Sequence, residues 1–383
     1  MSFFFIIWAN PKFYQTLIFL AQHLSKKNCK VFILARKPEK QDDIIEAINF
    51  GKNTKIIYSP KLPFFCSNSI SLFIFIFFCL FHFIFKKPKK IIFFNKSSLL
   101  CLPLMKIFKK TVFIYHNFDF ELIHKVKSYK QKFLLFLEIQ LSHLCKYLIF
   151  PSQERANIFK KISKNRKSFF FEFKNCFPKL FKPKKSNKLT KLLKNHNLKK
   201  KKIICYLGSV GPAHFLEEVI DSVMHISDRF ILIIAGSPIN KYPKKLRRKI
   251  NTLNLSNKIY ILENIKNSLW FEILYKSSLG LCFYKKTNLS HTSMAGTSQK
   301  FNNYVLANIP MIVNHNKDFL NFKKKFDIFE TVDPKYPKKI AKKINFVLKN
   351  KKVYSKLKSN LKESFLQELN FEEQFQKSYK KFL

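Results

Sequence analysis

The chain holds 383 residues, with 72 lysines and arginines against 23 aspartates and glutamates, a formal charge of +49. Its 47% apolar content, with 46 Phe but only 15 Pro and 6 Gly, excludes a disordered polycation and the collagen-like and linker-like classes. At roughly 100–200 residues per domain, the length suggests two domains. Only six of the cations are arginine, so the planar contacts that read phosphates and guanines are scarce and a nucleic-acid partner is not expected. The abundance of Lys, Phe, Ile, Leu and Asn reads first as coding drift with solvated lysines, and second as attraction to an anionic membrane.

In chain order, short apolar runs alternate with helical patterns, which argues for α/β layers with parallel sheets. The N-terminus, MSFFFIIWANPKFY, has no charged lead-in or small-residue cleavage site and reads as a buried strand rather than a signal peptide. Strands are predicted at Phe3–Trp8, Val31–Ala35, Lys55–Tyr58, Ile91–Phe94, Thr111–Tyr115 and Tyr147–Phe150. Helical periodicity occupies Lys12–Ser25 and Lys132–Cys145. Ile70–Phe85 reads ISLFIFIFFCLFHFIF; sixteen helical residues reach about 24 Å, short of a roughly 30 Å hydrocarbon core. A buried or interfacial helix is expected there, with Lys86 and Lys87 at headgroup level if it meets lipid.

Phe181–Lys202 is the most charged and least apolar stretch of its length, and is read as a linker or exposed connecting helix. Beyond it, strands are predicted at Ile203–Leu207, Phe230–Ala235, Ile259–Leu262, Leu279–Tyr284 and Pro310–Val313, with an amphipathic helix over Leu216–Ile226. The expected organisation is a first Rossmann-like domain over 1–180, a linker over 181–202, a second Rossmann-like domain over 203–365, and a closing helix over 366–383. Eight cysteines include no C-x-x-C pair, which favours buried thiols in a reducing cytoplasm over zinc or a disulfide framework.

Five of the six glycines fall between 208 and 296. Gly208 and Gly211 follow the strand IICYL, with Ser209 between them, and Gly236 follows FILIIA. Ligands of open α/β sheets bind outside the carboxyl ends of strands, where backbone must approach closely, although tight turns need glycine whatever they bind. Gly296 precedes a helix for which Thr297 or Ser298 is a good N-cap, and Lys300 adds a cation one turn in. Free amides and the dipole of such a helix suit a diphosphate.

YLGSVGPAHFLEEVIDSV, ILIIAGSP, IYILENIKNSLWFEILYKSSLGLCFY and TSQKFNNYVLANIPMIV resemble, in order and spacing, the C-terminal half of GT-B glycosyltransferases of the family-4 type. VFIYHNFD, LEIQLSHLCKYLIFPSQER, KNCFP and NFEEQFQKSYKKFL are similar to further family segments, so the resemblance runs over roughly residues 3–380. It implies an α/β GT-B fold, two Rossmann-like domains facing a cleft, and a retaining, metal-independent transferase without a cofactor. The C-terminal domain would bind a nucleoside-diphosphate sugar through Gly208, Ser209, Gly211, Gly236, Gly296, Thr297, Ser298, Lys300 and Asn303. The N-terminal domain would bind a glycan or glycolipid acceptor, with His116 meeting the donor sugar and Asp119 orienting His116 or holding the acceptor. Peripheral attachment at the cytoplasmic membrane face follows as an expectation.

The sequence departs from the family in three places. The paired glutamates of the E-x7-E motif would fall at Ala295 and Asn303, and the basic pair after the first C-domain strand is missing from GSVGPAHFLEE. A non-catalytic GT-B partner of another transferase is therefore the alternative reading.

Overall fold

The computed structural model describes residues 1–38, 48–60, 67–107, 110–122, 126, 128–198 except 196 and 197, 200–287 and 289–382. Cys66, His196, Asn197 and Lys199 lie outside the described residues. Contacts divide the chain into two compact units: Met1–Asn175 with Asn288–Ser290 and Gln374–Leu383, and Cys176–Thr287 with His291–Glu373.

The first unit runs β1 (Ser2–Ile7), α1 (Gln15–Lys26), β2 (Lys30–Ala35), β3 (Thr54–Tyr58), α2 (Asn68–Lys86), β4 (Lys90–Phe94), α3 (Leu102–Met105), β5 (Val112–His116), α4 (Tyr129–Ser142), β6 (Tyr147–Phe150), α5 (Gln153–Ser163) and β7 (Phe169–Glu172). Its strands form one parallel seven-stranded sheet in the order β3-β2-β1-β4-β5-β6-β7. In the middle of it Phe5 pairs with both Ile33 and Ile92. Helices on both faces explain why β1 is apolar from Phe3 to Ile7 rather than alternating. One side of the core joins Phe4, Ile6, Leu34, Phe93 and Tyr115 to Phe75, Cys79 and Phe83 of α2.

The second unit repeats the plan with α6 (Lys188–Asn195), β8 (Lys202–Leu207), α7 (Leu216–Val223), β9 (Phe230–Gly236), α8 (Tyr242–Thr252), β10 (Ile259–Glu263), α9 (Asn267–Lys276), β11 (Ser277–Cys282), α10 (Leu289–Thr292), α11 (Gln299–Leu306), β12 (Met311–Asn314), α12 (Lys317–Lys325), β13 (Phe329–Val332), α13 (Pro337–Lys349), α14 (Lys351–Gln367) and α15 (Phe371–Lys377), of which α10 begins and α15 ends with residues of the first unit. The parallel order is β10-β9-β8-β11-β12-β13, so the winding reverses between β8 and β11. Within the stretch read as a linker, α6 is part of this unit. The Glu272 carboxylate accepts the Leu189 and Thr190 amides at 3.0 Å each, which satisfies the first turn of α6.

All eleven predicted strands form, and two more, β7 and β13, extend each sheet at one edge. The strand expected over Leu279–Tyr284 starts at Ser277 and ends at Cys282, which releases Phe283 and Tyr284 into the loop beyond. The helix expected over Ile70–Phe85 is longer: Ser67 caps it by accepting the Ile70 amide, and left-handed Lys87 ends it before Pro88. Its 19 residues reach about 28 Å, so length no longer sets it apart from a membrane-crossing helix.

Candidate functional site

The point where the strand order reverses is held by one side chain. Tyr304, on α11, places its hydroxyl 3.1 Å from the Cys205 carbonyl and 3.2 Å from that of Leu281, and accepts the Leu207 amide at 3.3 Å. It thus ties β8 to β11, and its ring fills the space beside Gly280, where a Cβ would lie 2.6 Å from the ring atoms. This is why a glycine stands in the middle of β11.

Beyond β8 the chain turns at Gly208. The Gly208 amide is donated to Ala235 at 3.0 Å and the Val210 amide to Ser237 at 2.8 Å, so two of the loop's N–H groups serve β9 and its continuation. The Tyr206 hydroxyl donates to the Ser209 carbonyl at 2.7 Å. Gly236 has φ +153°, and a Cβ there would meet the Gly208 carbonyl at 1.7 Å, so only glycine allows these two strand ends to approach. Gly211 packs against Ile239 instead, whose Cγ1 would lie 2.8 Å from an added Cβ.

α11 brings a cation to this turn. Gly296, at φ +70°, admits the left-handed bend before the helix, and Ser298 caps it by accepting the Phe301 amide at 3.3 Å. Ser298 also shares a hydrogen bond with the Tyr284 hydroxyl, and the Thr297 hydroxyl donates to the Ser293 carbonyl at 2.9 Å. Both predicted capping side chains therefore hold the turn itself. Lys300 is 6% exposed, and its Nζ lies 3.8 Å from the centre of the Tyr206 ring and 4.6 Å from that of Tyr284. Its Cε occupies the room left by Gly208, 2.8 Å from where a Cβ would stand. Among the described residues, no hydrogen-bond acceptor meets Lys300 Nζ.

An ammonium removed from water without a counter-ion is costly, and burial pushes Lys300 down from 10.5 to about 8. Two aromatic faces return part of that cost, about 2 kcal/mol when desolvated. Beside it, burial first and then the Lys300 charge push His214 down to about 3, so its imidazole is neutral; its Nδ1 lies 3.3 Å from the Phe283 carbonyl. One turn on from Lys300, Asn303 is fully buried, and neither amide atom has a partner among the described residues. Ala295, where the family's first glutamate would fall, offers no side-chain acceptor. The Asp318 carboxylate accepts its amide at 2.8 Å and that of Met294 at 2.7 Å, which fixes the loop.

The structure thus gathers Gly208, Ser209, Gly236, Gly296, Thr297, Ser298, Lys300 and Asn303 around the carboxyl ends of β8 and β11. Tyr206, Tyr284, His214 and Asp318 are functional candidates that sequence reasoning did not single out. Only the tyrosines left a trace, at the ends of two neighbouring strands.

His116 and Asp119 belong to the other unit. His116 ends β5, fully buried, and Nδ1 lies 2.6 Å from the Tyr379 hydroxyl. Phe94 and Phe118 lie against its ring, with centroids 5.4 and 5.0 Å away. Burial pushes the imidazole down to about 3, so it is neutral near pH 7, and Nε2 has no partner among the described residues. Asp119 is exposed and 3.8 Å from the Arg155 guanidinium. Glu154 lies on the surface of α5, whereas Glu138 is buried beneath Tyr115 and Asn117, each donating to its Oε1 at 2.7 Å. Burial raises Glu138 to about 7.

Two parallel sheets of seven and six strands, each wound in Rossmann order, make this a GT-B fold. No family model and no curated protein matches the sequence. Solved structures do match. HepE of Anabaena, in complex with UDP and glucose, superposes with a TM-score of 0.75 at 14% identity, covering 100% of this chain and 99% of HepE. The sucrose-phosphate synthase of Thermosynechococcus elongatus gives 0.73 at 14% identity over 100% and 98%. WaaG, a glycosyltransferase involved in lipopolysaccharide biosynthesis, gives 0.65 at 11% identity over 98% and 99%.

Proposed function

We propose that the protein transfers a sugar, with retention and without a metal ion, from a nucleoside-diphosphate donor to a lipid-linked or cell-surface polysaccharide acceptor on the cytoplasmic side of the membrane. The observation that carries this reading is Lys300, a buried ammonium that meets no acceptor among the described residues, at the switch point of the second sheet. An anion would relieve its desolvation, and the carboxyl ends of β8 and β11 are where such folds bind phosphates. Similarity to HepE, whose structure holds UDP and glucose, supports a uridine donor.

In this reading Lys300 and the first turn of α11 stabilise the charge that develops on the diphosphate as the glycosidic C1–O bond breaks. Asn303 supplies a neutral hydrogen-bonding pair to the ribose in place of a carboxylate. His116 and Asp119 serve the sugar and the acceptor from the first unit. Neutral His116 would give a polar contact rather than a proton, so the acceptor's proton would pass to a departing phosphate oxygen.

A second reading, a GT-B protein that binds donor without turning it over, draws on Ala295, which has no side-chain group for the sugar. Calorimetric titration with UDP, GDP and ADP, followed by turnover of the matching nucleotide sugars, tests both. Nucleotide binding with hydrolysis or transfer supports the first reading, binding alone supports the second, and no binding of any nucleotide overturns both.

A further inference from the structure

Helix α2 is apolar on the face that a soluble helix gives to charge. Its inner stripe, Phe75, Cys79 and Phe83, is packed into the sheet of the first unit. On the opposite face Ile70, Phe73, Phe77, Phe81 and Ile84 recur every three or four residues and are 42–61% exposed. No charged side chain occurs from Asn68 to Phe85. The most apolar 18 residues have a mean hydropathy of 2.2, and 17% of them are buried. A helix that is apolar all round belongs in a core or in lipid, and this one has only one side in the core.

The exposed face does not stop at α2. The Lys130 ammonium lies 3.3 Å from Ser69 Oγ, which brings the start of α4 to the start of α2. On α4, Phe133 and Phe136 are 59% and 49% exposed. Exposed apolar patches of this extent on a soluble protein mark an interaction surface.

Charge selects the occupant. From Ala47 to Phe118 the sequence holds eleven lysines and no aspartate or glutamate. Lys86 and exposed Lys87 end α2. A second copy of the chain would bring the same lysines against themselves, whereas an anionic bilayer offers hydrocarbon for the phenylalanines and headgroup charge for the lysines. A crossing orientation would strip Phe75, Cys79 and Phe83 from the sheet. A helix lying in the interfacial plane keeps them there.

We propose that α2 is an in-plane membrane helix, inserting Phe73, Phe77 and Phe81 at the acyl boundary of an anionic bilayer. This rests on the exposed face of α2 and not on the glycosyl-transfer reading. The test is sedimentation of the full-length chain with vesicles of phosphatidylcholine and phosphatidylglycerol at roughly 3:1, in about 0.1 M salt. The wild type should sediment with them, and F73S/F77S/F81S should bind at least about tenfold more weakly. Circular dichroism and melting temperature should stay unchanged, because all three rings are exposed.

Should the triple variant misfold, Phe77→Trp provides the readout, with the added indole emission quenched by brominated acyl chains. Wild-type protein left in the supernatant, a folded triple variant that binds equally, or an added indole that brominated chains leave unquenched overturns the proposal. So does a concentration-dependent dimer that the same substitutions dissolve, because the face then belongs to a second copy.

Discussion

Lys300→Met separates a binding lysine from a structural one, because the two roles give stability changes of opposite sign. Lowering the ammonium from 10.5 to about 8 costs the folded state about 3 kcal/mol at any pH below 8. The Tyr206 and Tyr284 rings return up to about 2 kcal/mol of this by favouring the charged form. Methionine keeps the stem beside Gly208 and removes the charge, so the variant should be about 1–3 kcal/mol more stable at pH 7 and melt a few degrees higher.

The pH dependence follows from the direction of the shift. Lys300 costs nothing above about pH 10.5, where it is neutral folded and unfolded, and its full cost is reached below about pH 8. The stability gap between variant and wild type should therefore close as pH rises from 8 towards 10.5. Nucleotide affinity should fall in the variant by about 1.5–3 kcal/mol, roughly 10- to 150-fold, as for a lost charge-assisted hydrogen bond. Differential scanning calorimetry and titration with UDP measure both quantities. A destabilised variant with unchanged UDP affinity refutes the reasoning and leaves Lys300 as a packing residue.

Three further outcomes are expected. Gly208→Val should abolish nucleotide binding in a protein that still melts cooperatively, because its side chain displaces Lys300, whose Cε lies 2.8 Å from the added Cβ; titration alongside a melting curve checks this. His116→Phe should lower turnover by about 2 kcal/mol, roughly thirtyfold, with UDP affinity unchanged, and the wild-type pH–rate profile should show no limb near pH 6 from an imidazole already neutral above about 3. Glu138→Gln should remove a loss of about 3 kcal/mol that the wild type suffers as pH rises from 4.5 to 7, because the unfolded carboxyl ionises through that window while the buried one stays protonated; chemical denaturation at pH 4.5 and 8 reads the difference.

The sheets were legible because most of their strands are buried on both faces and read as unbroken apolar runs. β7, with the sequence FFFE, and β13, with FETV, escaped notice for the complementary reason: each is a four-residue edge strand with partly exposed positions. Capping was legible too, since Ser298 acts through neighbours three residues away. What could not be read is the company that distant strands keep. Lys300 is expected as a cation one turn into its helix, but nothing near it in sequence shows that Tyr206 and Tyr284 enclose it from β8 and the loop after β11. The partner of His116 is Tyr379, 263 residues away. Gly208 was expected to make room for a diphosphate, and the room is occupied by the Lys300 stem.

Both units bury a nitrogen base at the carboxyl end of a central strand, and the same desolvation gives the two opposite electrostatic characters. An imidazole starts at 6.5, so burial that lowers it to about 3 leaves His116 neutral at pH 7. An amine starts at 10.5, so burial that lowers it to about 8 leaves Lys300 mostly charged at pH 7. An acidic nucleotide meeting the second unit would add a Coulombic attraction that raises Lys300 again, and binding should take up protons between pH 8 and 10. His116 has no such reserve, because an anion would have to lift it by more than three pH units before it held a proton. In the proposed reading Lys300 would hold a charged leaving group and His116 would offer an uncharged polar contact, without a carboxylate at position 295 to balance either.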